Sequence, residues 1–176
     1  MKQIIDIFKE HDIHISPAGR WKFDKHGIKM PIDAHRKEGV AWSQFPKDNM
    51  AKYRPELSGH YIVDMDDIKK VKHHMPKKLY KKCMKTFGYT TSNDNKRHCV
   101  FKYDGAASRH TNHFVPMDLL PSGVVFTAHL IDDKRTKFKM YENEILNLSK
   151  KEATLLKETY LSMYEELVPA KEKKKL

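Results

Sequence analysis

The sequence predicts an α+β fold: an antiparallel sheet with short helices inserted at about 66–87 and a long C-terminal helix at about 149–168. Three features carry that expectation. Short stretches of alternating apolar residues recur between tight turns, several bearing glycine, as in neighbouring antiparallel strands. Long βα crossovers are scarce, which argues against a parallel α/β sheet. The one long helix-period run comes last and follows a Ser-x-x-Glu cap.

Ile4, Ile5, Phe8 and His11 fall at helical spacing, so residues 2–11 read as a short amphipathic helix. Ile13-His14-Ile15 is extended and is stopped by Ser16-Pro17-Ala18-Gly19. Residues 20–35 read as a β-hairpin. Trp21, Phe23, Ile28, Met30 and Ile32 alternate about the loop Asp24–Gly27, where Gly27 supplies a positive φ. Val40–Phe45 is a further short strand, Pro46–Pro55 is irregular, and Tyr61-Ile62-Val63 is a buried strand or the lead into a helix.

Asp64, Asp66 and Asp67 precede Ile68-Lys69-Lys70-Val71-Lys72. Acids first and lysines last suit the helix dipole, giving a helix over 66–73. Pro76 opens the next, over 76–87, at a first-turn position where its missing N–H costs nothing. Its apolar stripe is Leu79, Tyr80, Cys83, Met84 and Phe87; lysines fill most other positions, and Gly88 is placed to end it. After the polar turn Thr90–Asn95, residues 97–103 alternate as a strand. Phe114-Val115 and Val124–Ile131 read as a hairpin across Pro121-Ser122-Gly123, and Lys137–Tyr141 as a last strand.

Ser149 and Glu152 form a capping box. Leu155, Leu156, Tyr160, Met163, Tyr164 and Leu167 then make a stripe broad enough to pack on a sheet, and a candidate homo-oligomer contact. Residues 1–169 read as a single domain with a basic module at 69–110, and 170–176 as a disordered charged tail.

The 176 residues carry a formal net charge of +11, and nearly all of it lies in one quarter of the chain. Residues 69–110 hold twelve Lys/Arg against two acids, Asp94 and Asp104, while the flanking segments are close to balance. A field this concentrated repels itself unless a polyanion answers it. Lysine outnumbers arginine 28 to 6, and lysine acts as a mobile point charge where arginine would read base edges. The expected partner is therefore RNA or single-stranded DNA, bound along its backbone with little regard to sequence. Lys77, Lys78, Lys81, Lys82 and Lys85 would hold the phosphates, with Lys69, Lys70, Lys72, Arg97 and Lys102 extending the track. Tyr103 and Trp21 offer rings on which bases could stack.

Cys83, His98, Cys99, His110 and His113 crowd one region, but none forms the paired knuckle of a structural zinc site, so neither metal nor cofactor is expected. No Gly-rich phosphate loop, G-x-S-x-G elbow or H-E-x-x-H occurs, and seven glycines leave little for nucleotide cradles. Residues 116–129 have a hairpin outline similar to the core of restriction-type nucleases, the PD-(D/E)XK superfamily. That resemblance implies metal-dependent cleavage, yet Thr127 and His129 stand where the family has an acid and a lysine. A small nucleic-acid-cleaving enzyme using Asp118 with His110 and His113 is the first alternative. A phage-type interaction protein binding an acidic host protein is the second. Two cysteines, no secretory signal and no bilayer-length apolar run point to a cytoplasmic protein.

Overall fold

A computed structural model describes residues 8, 10–13, 15–17, 21–23, 25, 29–31, 51–90, 93–123, 125–127 and 139–173. The expected strand Val40–Phe45 and most of the expected helix 2–11 lie outside the described residues. The chain falls into two compact units: residues 1–58 with 123–137, and residues 59–122 with 138–176.

In the first unit, β1 (Ile15–Pro17) pairs antiparallel with β4 (Ala51–Tyr53), which pairs in turn with β9 (Val125–Thr127). The expected hairpin is present as β2 (Trp21–Phe23) and β3 (Lys29–Pro31), with Trp21 opposite Pro31 and Phe23 opposite Lys29. A single turn of helix, α1 (Pro55–Ser58), ends the unit's first segment. Strand β4 falls in a stretch read as irregular, because its pairing partners lie far away in sequence.

The second unit is a six-stranded sheet with three helices on one face. Its strands are β5 (His60–Met65), β6 (Gly88–Thr90), β7 (Arg97–Lys102), β8 (Met117–Leu120), β10 (Lys139–Tyr141) and β11 (Leu146–Asn147), in the order β10-β6-β7-β5-β8. All pairs on that path are antiparallel, and β11 adds parallel to β7 with Leu146 opposite Phe101. Strand β8 pairs with β5, and β9 with β4, so Pro121-Ser122-Gly123 links two sheets and closes no hairpin. The nuclease-like outline of residues 116–129 goes with it.

Strand alternation sorts the side chains. Tyr61, Val63, Met65, Cys99, Phe101, Met117 and Leu119 face the helices and form one buried cluster with them. Helix α2 (Ile68–His74) contributes Val71; its N-cap is Asp67, whose carboxylate accepts the Lys70 N–H at 3.1 Å. Helix α3 (Lys77–Lys85) contributes Leu79 and Cys83, as its spacing predicts. Gly88 does not end it. Thr86 is the cap, and Gly88 opens β6 where a Cβ would meet the His98 carbonyl at 2.7 Å, so strand packing requires the glycine there.

Helix α4 (Lys150–Leu167) is the predicted long helix, with both halves of the Ser149–Glu152 capping box formed. Ala153, Leu156, Tyr160 and Met163 are buried in the common core, so the sheet of the same chain covers this face. Residues 170–173 of the expected disordered tail are ordered, and 174–176 lie outside the described residues. Residues Ala170–Glu172 form a 3₁₀ turn, and Lys173 donates at 2.9 Å both to the Glu165 carbonyl and to its carboxylate. Among the described residues no helix is long and apolar enough to cross a membrane.

Candidate nucleic-acid interface

Helix α3 owes its shape to a strict division of labour. Lys77, Lys78, Lys81 and Lys85 fall within an arc of about 100° at the helical spacing of 100° per residue, and Leu79 and Cys83 fill the opposite side. The four lysines are exposed, and none has an ion-pair partner among the described residues. Lys69, Lys70 and Lys72 of α2 are also exposed. The Lys70 ammonium stands 3.9 Å from Asp67, and that of Lys72 lies 5.4 Å from the centre of the Tyr80 ring, which sets α2 beside α3.

Two expected members of the track are committed elsewhere. Lys82 donates to both carboxylate oxygens of Glu152, at 2.8 and 2.9 Å, and so ties α3 to the first turn of α4. Burial raises the Glu152 carboxyl, but Lys82 and the Ser149 hydrogen bonds more than offset it, leaving the group below its ordinary value. Arg97 is buried beneath the end of α3. Its Nη2 donates to the carbonyls of Met84 at 3.0 Å and Thr86 at 2.8 Å, and its guanidinium lies 3.9 Å from the centre of the Tyr141 ring. Arg97 is thus a helix C-terminal cap and offers nothing to phosphate.

Lys102 is exposed, but its register places it on the sheet face away from α3. Tyr103 is half-buried, edge-on to Tyr61 with ring centres 5.5 Å apart. Trp21 stands in β2 of the other unit. The exposed lysines that the structure brings side by side are those of α3 and α2.

The opposite sheet face holds a feature that sequence reading did not find. Tyr89, His98, Asp64 and Asp118 occupy one row across β6, β7, β5 and β8. His98 Nε2 lies 3.2 Å from Asp64, and its ring stacks on Tyr89 at 4.6 Å, with the planes 5° apart. Burial lowers His98, and the Asp64 carboxylate raises it further, so the ring titrates above its ordinary value. Asp118 is pushed up to about 7, first by burial and then by the charges of Asp64 and Asp66. No sequence motif marks this row, because each residue comes from a different strand.

The row gives stability a direction with pH. A raised carboxyl favours the folded state while protonated, so the Asp118 contribution is complete below its unfolded value near 4 and is lost as pH rises to about 7. The raised His98 works in the same sense, since its paired imidazolium is lost only as pH climbs above the ordinary histidine range. Stability is therefore expected to fall from about pH 4 upward, with Asp118 contributing on the order of 1–3 kcal/mol of that loss by about pH 7. Asp118→Asn keeps the neutral form, so it should flatten the profile and raise the melting temperature at pH 8. Thermal melts followed by circular dichroism test this; a variant as pH-dependent as the wild type would contradict the assignment.

The residues of the alternative catalytic reading do not converge. His110 pairs with Leu119 and leans on Tyr160 of α4, with ring centres 5.2 Å apart. Asp118, the next residue on β8, leaves by the opposite face. His113 is exposed beside the Phe114 ring. Cys83 and Cys99 are free and buried on the helix side, away from His98. Among the described residues no three His, Cys, Asp or Glu side chains are grouped to hold a metal ion. Compared with known protein families and with the curated proteins, the chain matches none.

Proposed function

We propose that this protein binds RNA or single-stranded DNA through the lysine face of α3, without catalysis and largely without regard to sequence. The observation that carries the reading is the set of Lys77, Lys78, Lys81 and Lys85, exposed together with no acid to answer them among the described residues. Four ammonium groups on one rigid helix repel one another, and a phosphate backbone relieves that repulsion by releasing its own counterions. Lysine point charges follow a backbone and do not read bases, so scrambled strands of equal length should bind alike. Both thiols are free and buried, which suits a reducing, intracellular setting.

Binding of labelled single-stranded RNA and DNA over a salt series tests the reading. Each neutralised phosphate of a single strand adds roughly 0.7 to the slope of log affinity against log salt, so four lysines imply a slope near −3. A flat response would overturn it and leave the lysine face to another acidic partner. Strong discrimination between scrambled sequences would overturn the claim of sequence tolerance.

A further inference from the structure

The second unit contains a pocket of about 400 Å³, a volume within the range of small-molecule sites. It lies where β5 begins and β7 ends, beside the first turns of α4. Lys150, Thr154 and Lys157 follow one another at helical spacing along one wall, all exposed at the mouth. The facing wall is the edge-to-face pair Tyr61 and Tyr103. Residues 106–108 and His110 close the remaining side. The Tyr103 ring lies over Gly105 so closely that a Cβ there would collide with it, so the glycine sets the position of this wall.

The chemistry of the lining is one-sided. It holds two ammonium groups and no carboxylate. Neither Lys150 nor Lys157 has an ion-pair partner among the described residues, in contrast to Lys82 on the neighbouring helix. Burial and the Lys157 charge lower His110, which favours a neutral ring able to donate and accept hydrogen bonds. Hydroxyl groups of Ser108 and Thr154 add further polar contacts. An apolar ligand would strip water from two ammonium groups without compensation. A bare inorganic anion would leave the tyrosine wall unused.

We propose that this pocket binds a phosphorylated, ring-bearing molecule of mononucleotide size, its phosphate between Lys150 and Lys157 and its ring against Tyr103. The ligand is either a free nucleotide or the 5′-terminal nucleotide of a strand, since the recognised chemistry is the same. The inference stands apart from the α3 surface. Glu152, which ties α4 to α3, lies across the helix from the Lys150–Thr154–Lys157 stripe.

Isothermal titration of the full chain with adenosine 5′-monophosphate tests the proposal, with adenosine and inorganic phosphate as separate probes. The monophosphate is expected to bind more tightly than either part. K150E/K157E removes both charge-assisted contacts and should weaken it roughly tenfold or more. Ala107→Trp fills the pocket without changing charge and should weaken it too, so the test survives if the double variant folds poorly. K77E/K78E/K81E/K85E should leave it unchanged, which separates this site from the α3 reading. Competition by a 5′-phosphorylated oligonucleotide but not by its 5′-hydroxyl counterpart would identify a strand end as the ligand, and no competition by either a free nucleotide. Monophosphate binding no tighter than inorganic phosphate, or unmoved by both pocket variants, would overturn the proposal.

Discussion

Replacing Lys77, Lys78, Lys81 and Lys85 together by Glu is expected to abolish binding to RNA and single-stranded DNA while the protein stays folded. At about 0.1 M salt each single-strand phosphate contact is worth roughly 0.7 of a decade in affinity, so losing four costs about a thousandfold, and repulsion from the new carboxylates adds to it. The fold should tolerate the change because all four side chains are exposed. Glutamates at positions 77 and 78 enter the first turn of α3, where negative charge suits the dipole, and offset the unfavourable one at 85. Lys82 is left out deliberately. A glutamate there would face Glu152 in place of the present contact at 2.8 Å and would confuse a loss of binding with a loss of packing. Filter binding and circular dichroism on the same preparation decide the matter. A folded quadruple variant that binds like the wild type would remove α3 as the interface.

How far the sequence reveals this arrangement depends on how local each cause is. The Ser149–Glu152 cap and the lysine face of α3 are each contained within a few residues, and both are legible. The pairing of β8 with β5 rather than β9 is not, because Pro121-Ser122-Gly123 has turn chemistry whether or not the flanking strands meet. The row of Asp64, His98 and Asp118 needs the register of three strands before its members line up. The pocket likewise joins the start of β5, the end of β7 and the first turns of α4. Charge counting also misplaces particular bases. It treats Lys81 and Lys82 alike, although only the second meets a carboxylate. For Arg97 a signal was present: it shares the alternation phase of Cys99 and Phe101, so a strand that buries those two turns the guanidinium inward as well.

Arg97 therefore belongs to the fold, and its removal is expected to be among the most costly single changes in the second unit. Two of the last carbonyls of α3, those of Met84 and Thr86, have the guanidinium as donor. A charged donor contributes roughly 1.5–3 kcal/mol per hydrogen bond when buried. Arg97→Ala deprives both carbonyls of that donor, removes the positive charge from the negative end of the helix and opens a space against Tyr141. A loss of about 3–5 kcal/mol follows, read as a shift of the urea midpoint. Arg97→Lys should recover only part of it, because one ammonium on a flexible stem cannot serve both carbonyls and pack against the ring as a planar fork does. The two possible roles of Arg97 then separate cleanly. If it held a phosphate, Arg97→Ala would melt like the wild type and lower the salt slope by roughly one contact. If it caps α3, Arg97→Lys will be destabilised yet, well below its melting temperature, will bind single strands with an unchanged slope.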